Sequence, residues 1–169
     1  MSDSASHGFL GEEFLTWLWF RTETEGGEFD LGKGRVVGLS FDDMLEFAPL
    51  EEDETQHTLK KGTPTRSVEA RAALKNGHRL RRARLTLGID ERVWSFTLDA
   101  PTMGLRSIKL PEDDEEAESA EERSRERAAN FLELHELVGA VYREFLKIRL
   151  RPDYVNTDAE HQAAWMAHG

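Results

Sequence analysis

The residues with the clearest chemical potential are nine Lys and Arg side chains between residues 60 and 84. Glu69 is the single acid in this segment, so its net charge is +8, while the other 13 bases and 32 acids of the chain carry −19. Guanidinium and ammonium groups bind phosphate oxygens, and an acidic remainder repels nucleic acid from the other surfaces. The segment therefore predicts a DNA-binding site. Its residues are Lys60, Lys61, Arg66, Arg71, Lys75, Arg79, Arg81, Arg82 and Arg84.

A second interpretation of the same cations is that they form ion pairs with acids of this protein. The acidic runs at 51–54 and 112–122 are the natural partners, in the same molecule or in a second copy. No aromatic residue lies between 60 and 84, which disfavours a platform on which single-stranded bases stack. Phosphate contacts and internal ion pairing both remain open from the sequence.

The other motifs that could carry chemistry predict neither an enzyme nor a cofactor or metal site. Gly32, Gly34 and Gly38 are one residue away from a dinucleotide-binding spacing, but the following residues read as a strand where that motif needs a helix. The six histidines show no metal-binding spacing, and His135 reads as part of a solvated helix face. The chain has no cysteine, which excludes thiolate metal sites and a cysteine nucleophile.

Length and composition indicate one acidic globular domain. The chain has 169 residues, a net charge of −11 and 33% charged residues. The most apolar stretch, residues 9–20, is too short to span a bilayer and contains Glu12 and Glu13. The first residues do not resemble a secretory signal, so a cytoplasmic location is expected.

Alternating apolar residues and turn signals predict an antiparallel sheet that would present the basic segment. Strands are expected at 28–31, 35–41, 44–50, 55–61, 79–89 and 92–98, with residues 101–111 irregular or a short strand. A short helix at 66–76 would place Arg71 and Lys75 on one face. On the strand at 79–89, Arg82 and Arg84 share one side, and Arg79 and Arg81 share the other.

Two longer helices should pack on one face of this sheet, which gives an α+β fold. The first is expected at 9–21, after a disordered tail at 1–8. Because Trp17 and Trp19 cannot point the same way on a helix, one should be buried against the sheet and the other should meet the long helix or a second chain. The second helix, at about 119–149, carries an apolar stripe from Phe131 to Ile148 that we expect to be mostly core. Residues 151–169 read as a tail with a possible short helix.

The order of these segments resembles the C-terminal half of RdgC-like, recombination-associated proteins. The resemblance covers about residues 8–150 and follows the whole pattern rather than one signature. It rests on GFLGEEFLTWLWF at 8–20, HTLKKGTPT at 57–65, ARAALKNG at 70–77, RLTLGIDERVWSFTLDA at 84–100, SIKLP at 107–111 and FLELHELVGAVYREFLKIRL at 131–150.

The resemblance implies that residues 9–150 form one domain with a non-enzymatic role. RdgC-like proteins are ring-like dimers that bind duplex DNA with little sequence preference and modulate recombination by opposing RecA filaments. The resemblance therefore implies DNA as a partner, a nucleoid-associated location and a homodimer. It also implies a separately encoded N-terminal half as a possible partner. The alternative function is a protein-interaction module that binds through the stripe at 131–148 or through the basic segment, without contacting DNA.

Overall fold

The computed structural model describes residues 3–48, 57–60, 68–112 and 119–168, and within these ranges it has four α-helices and six strands. The helices are α1 (Asp3–Thr24), α2 (Val68–Lys75), α3 (Ala120–Arg149) and α4 (Asp158–His168), with a 3-10 turn at Tyr154–Asn156. The strands are β1 (Glu28–Asp30), β2 (Val36–Phe47), β3 (His57–Lys60), β4 (Leu80–Ile89), β5 (Arg92–Asp99) and β6 (Gly104–Lys109). This is the predicted α+β arrangement.

The strands form one antiparallel sheet in the order β1, β2, β4, β5, β6, and β3 pairs with the end of β2. Lys33 and Asp90 adopt left-handed backbone conformations, with φ of 55° and 54°, in the turns that join β1 to β2 and β4 to β5. The glycines beside Lys33 thus belong to a hairpin, as predicted. The strands expected at 35–41 and 44–50 are one continuous strand, β2, because an irregularity between Phe41 and Leu45 takes up the extra residues without ending the pairing.

Alternation along β4 and β5 gives the sheet two different faces. Leu85 and Phe96 are cross-strand partners on the inner face, where they join the core with residues of α1 and α3. Arg84 and Thr97 are partners on the opposite side, which we call the open face. Arg81 is the extra residue of a bulge, since Arg82 pairs with Glu46 while Leu80 pairs with the next residue of β2.

Both tryptophans of α1 are buried, as the consecutive large side chains predict. Trp17 packs on Phe145 of α3, with ring centroids 5.4 Å apart. Trp19 packs on Phe47 of β2 at 6.4 Å and meets Trp165 of α4 edge-on at 5.6 Å. The expectation that one tryptophan meets the sheet and the other the long helix is confirmed. Their place in the core of one chain leaves neither exposed for stacking on a base.

Helix α3 buries most of its apolar stripe in the same core. Buried stripe residues are Leu134, Leu137, Val138, Val141 and Phe145. Phe131, at the start of the predicted stripe, is 44% exposed, and residues 120–129 contain no buried side chain. The stripe is therefore mostly core, as predicted, and α3 first reaches the core at Asn130.

Hydrogen bonds from side chains fix α3 to the rest of the fold at both ends of the part that packs on the core. The indole N–H of Trp94 on β5 donates to the carbonyl of Asn130 at 3.0 Å. Near the other end, Arg149 Nε donates to the carboxylate of Glu13 on α1 at 2.8 Å. The helix is thus held against both the sheet and α1.

Both chain ends depart from the expected tails. Helix α1 already begins at Asp3, so residues 3–8 are helical; extending a formed helix costs far less than nucleating one, and the segment has no proline to stop it. The short helix expected in 151–169 is α4, and it packs on α1 and α2. Trp165 and Met166 of α4 join the hydrophobic core, so the C-terminal segment is part of the domain.

Candidate nucleic-acid interface

Arg71 and Lys75, expected on one phosphate-facing side of a helix, have different environments in α2. The Arg71 guanidinium forms an ion pair with Glu23 of α1 and lies 4.8 Å from the ring centroid of Trp165. Its side chain is 22% exposed, whereas Lys75 in the last helical turn is exposed. Arg71 therefore connects α2 to α1 and α4, and its guanidinium is not among the proposed phosphate ligands.

Arg79 also forms an ion pair within the fold, whereas Arg81 is held there through its backbone, and its Nε is buried with no hydrogen-bond partner among the described residues. Arg79 Nη1 lies 3.4 Å from Glu12 Oε2 on α1. The carbonyl of Arg81, at the bulge of β4, accepts the N–H of Ala100 at 2.8 Å. These two residues stand at the beginning of β4, before the part of the strand that carries Arg82 and Arg84.

Three other cations of the predicted set, Lys60, Lys61 and Arg66, precede α2 in the chain. Lys60 is the last residue of β3, opposite Met44 in the register with β2. Lys61 and Arg66 lie outside the described residues. The described part of the site therefore depends on β4 and its neighbours.

Arg82 and Arg84 share the open face, as the alternation of β4 predicts. Arg82 pairs in register with Asp99, and its Nε donates to Asp99 Oδ1 at 2.7 Å. Its Nη1 lies 3.8 Å from Glu46 Oε1. Arg84 Nη1 instead donates to the carbonyl of Ser107 at 3.0 Å and lies 3.4 Å from Thr97 Oγ1. Arg84 thus spans β5 to reach β6 through neutral partners.

Strand β6 adds two cations that the sequence reading missed. Arg106 is opposite Thr97, and Lys109 is opposite Ser95, which places both on the open face. Both side chains are exposed. Arg106 and Lys109 are three residues apart, so simple alternation would place them on opposite faces, and an irregularity in the pairing of β5 with β6 brings them to the same face. The sequence predicted residues 101–111 as irregular or a short strand and could not indicate this register. We call Arg82, Arg84, Arg106 and Lys109 the open-face cations.

Asp99 is the acid at the centre of this group. Its side chain is 3% exposed and accepts hydrogen bonds from Thr102 at 2.6 Å and from Arg82 at 2.7 Å. Burial alone raises the pKa of Asp99, but these two hydrogen bonds and the charges of Arg82 and Arg106 outweigh it and hold the pKa below its usual value. Asp99 is therefore a charged anchor that orients Arg82, while Arg106 stays 3.7 Å away and 56% exposed.

The observed ion pairs show which cations of the basic segment are paired within the chain and which are not paired with a described acid. Arg71, Arg79 and Arg82 pair within the chain, as the second interpretation expects, but with isolated acids of α1, β2 and β5. The acidic residues 51–54 and 113–118 lie outside the described residues. Glu121, at the start of α3, pairs with Arg125 of the same helix. Internal pairing accordingly removes part of the basic segment and leaves Arg84 without a carboxylate among its described partners.

Metal-binding clusters and membrane-spanning helices are two other features that the described residues could have formed. These residues contain no group of three or more His, Asp or Glu side chains placed to hold a metal ion. None of their helices combines the length and apolar character needed to cross a membrane.

Comparison with known proteins identifies no relative: no family model, no curated protein and no solved structure matches the chain. The resemblance to RdgC-like proteins thus stays a prediction from the sequence.

Proposed function

We propose that the chain is a non-enzymatic protein that binds duplex DNA without sequence preference through its open face, and that it modulates recombination as the RdgC-like resemblance implies. The observation that carries the proposal is the state of Arg84, whose described partners are a carbonyl and a hydroxyl. A guanidinium whose described partners are neutral is available to a phosphate, because no carboxylate of the described residues competes for it.

The position of the cations supports contact with a phosphate backbone. Arg84 on β4 and Arg106 on β6 flank β5, whose open-face residues there are Ser95 and Thr97. Ser95 is the more exposed of the two, and its small hydroxyl side chain leaves room for a phosphate and adds a hydrogen-bond donor, whereas Thr97 is buried against Arg84. The open-face positions of β4 and β5 carry no aromatic ring, which favours backbone contacts over base stacking.

Salt dependence of duplex binding tests this proposal. Each phosphate neutralised on duplex DNA contributes about −0.9 to the slope of log K against log salt. Because Arg82 is already paired with Asp99, the other three open-face cations predict a slope of roughly −2 to −3. Arg84→Ala with Arg106→Ala should make this slope shallower by about 2. Arg82 is kept, because its loss would remove a partner from buried Asp99.

A charge-matched control separates a local site from net charge. Arg84→Glu with Arg106→Glu should abolish binding in a gel shift. Arg123→Glu with Arg143→Glu changes the net charge equally at exposed positions of α3 and should bind much more tightly than the first variant. Equal weakening by both pairs would contradict an open-face site, and undiminished binding by the first pair would refute it.

A second candidate function is favoured by exposed apolar residues on α3. Phe131 is 44% exposed and Leu132 is 67% exposed, close to the point where the helix first reaches the core. A protein partner, whether a second copy or a separately encoded N-terminal half, would cover them. Light scattering at micromolar concentration, with and without Phe131→Ser and Leu132→Ser, tests the second copy: a dimer that the double variant dissociates supports it, and a 19 kDa monomer at every concentration excludes it.

A further inference from the structure

Ser107 has a backbone conformation that is uncommon inside a strand. Among the described residues, four that are not glycine have a positive φ. Lys33, Asp90 and Met103 lie in turns, whereas Ser107, with φ of 49°, lies within β6. The left-handed region is unfavourable for a residue with a Cβ, and strain of this kind is concentrated at functional sites.

The same residue belongs to a β-bulge at the edge of the open face. Arg106 lies opposite Thr97 of β5 and Lys109 lies opposite Ser95, so three steps along β6 match two steps along β5. A left-handed first residue defines the G1 class of bulge, in which glycine is the usual residue. The bulge at Ser107 therefore places both cations of β6 on one face.

The backbone of the bulge also binds a side chain from β4. In a regular sheet, carbonyl groups accept backbone N–H groups of the neighbouring strand. The Ser107 carbonyl accepts Arg84 Nη1 at 3.0 Å, although β5 separates the two strands. The Arg84 side chain is thus extended across Thr97, whose hydroxyl oxygen lies 3.4 Å from the same nitrogen. Neutral oxygens hold this guanidinium next to the strand that carries the other exposed cations.

We propose that Ser107 is a positioning residue for DNA binding, because its bulge presents the carbonyl that holds the Arg84 guanidinium among the open-face cations before DNA binds. This inference rests on the proposed function of the open face. An arginine that is already ordered loses less conformational entropy on binding, so the contact raises affinity without adding a phosphate ligand. The competing explanation is packing alone, because the same bulge turns Ile108 toward the core.

Two substitutions at Ser107 separate positioning from packing, because both remove the hydroxyl and neither changes the charge. Ser107→Gly accommodates the left-handed backbone, whereas the β-branched side chain in Ser107→Val strongly disfavours it. In gel shifts with duplex DNA, Ser107→Gly should bind like the unmodified chain. Ser107→Val should bind roughly two- to tenfold more weakly, the effect of ordering one long side chain on binding. Equal affinities of the two folded variants would overturn the proposal, since packing of Ile108 predicts a loss of stability only.

A double-mutant cycle tests whether Ser107 acts through Arg84. In an Arg84→Ala background, at a salt concentration low enough to keep binding measurable, Ser107→Gly and Ser107→Val should bind equally. A difference that persists there would contradict the proposed route. If Ser107→Val does not fold, deletion of Ser107 replaces it. The shortened strand alternates regularly and keeps Arg106 and Lys109 on one face, so the same two- to tenfold loss is expected from the missing carbonyl alone.

NMR of the Arg84 Nε–H group without DNA distinguishes failure of this inference from failure of the proposed function. The heteronuclear NOE should show an ordered group in the unmodified chain and in Ser107→Gly, and a more mobile one in Ser107→Val. No duplex binding by the unmodified chain would refute the function of the open face and, with it, the role of Ser107. Duplex binding together with equal Arg84 mobility in all three proteins would refute the positioning role alone.

Discussion

Gly11 in α1 offers a test in which helix propensity and packing predict opposite signs. Alanine stabilises a helix by about 0.8–1.0 kcal/mol relative to glycine, so propensity alone makes Gly11→Ala stabilising. In the fold, a Cβ built on Gly11 would lie 1.9 Å from the carbonyl oxygen of Ala100. The close approach of α1 to the end of β5 depends on the missing side chain.

The structure decides which effect wins. Since Cβ contacts under 3.0 Å essentially do not occur, α1 and Ala100 would have to separate by about 1.1 Å. The obstacle is backbone, and Ala100 is also held by its N–H bond to the carbonyl of Arg81 at 2.8 Å. Overpacking of this kind costs about 1–3 kcal/mol, and here we expect the upper half of that range. After the gain in propensity, Gly11→Ala should lose about 1–2 kcal/mol.

Gly139 in α3 is the matched control, because the nearest neighbour of a Cβ added there is the end of a flexible side chain. A Cβ there would lie 3.6 Å from Arg143 Nη1, the far end of a flexible side chain. Gly139→Ala should therefore stabilise the protein by up to about 1 kcal/mol. Urea unfolding followed by tryptophan fluorescence measures both changes, with m-values expected to stay constant. Stabilisation by Gly11→Ala would show that α1 does not pack on Ala100 and would refute the reasoning.

Two further predictions concern the core and the buried acid. Trp19→Ala should cost roughly 3–5 kcal/mol in urea unfolding, because it empties a fully buried site between β2 and α4; a loss below 1 kcal/mol would place the ring outside the core. Asp99→Asn should destabilise the protein at neutral pH, and this difference should shrink as the pH falls. Because folding lowers the pKa of Asp99, its stabilisation is present above the unfolded value, about 3.9, and is lost as the pH falls through the folded pKa. A pH-independent difference in unfolding free energy between pH 7 and pH 2 would contradict this role.

Local signals were enough to predict most of the elements. Helix α2 ends at Lys75, two residues before the predicted stop at Gly77, whose φ of 87° is left-handed, and the tight turn at Asp90 joins the strands that alternation indicated. The element boundaries that differ from the prediction depend on contacts made by residues outside the segment concerned. Residues 3–8 look polar and aperiodic by themselves, but they continue a helix whose stability comes from core contacts further along.

The candidate site was less predictable, because ion pairs join residues far apart in sequence. Arg71 finds its acid 48 positions earlier, and Arg79 finds one 67 positions earlier. Neither acid lies in the acidic runs at 51–54 and 112–122, which were the partners expected from the sequence. The alternation of β4 did predict that Arg82 and Arg84 share a face, since that property needs only the strand period.

Charge density along the chain and charge available to a ligand are thus different quantities. A cation matched by a nearby carboxylate releases little free energy when it meets a phosphate, because the existing pair must be disrupted first. Arg71 is of this kind, and so is Arg82, whereas Arg84 is held by neutral oxygens and Lys109 is exposed. For a protein with a net charge of −11, binding to DNA requires such unmatched cations to lie together on one surface, because the rest of the molecule is repelled. The sheet provides this arrangement by placing β4 and β6 on either side of β5, which explains why the expected salt dependence follows from Arg84, Arg106 and Lys109 across the strands and not from the nine cations along the segment.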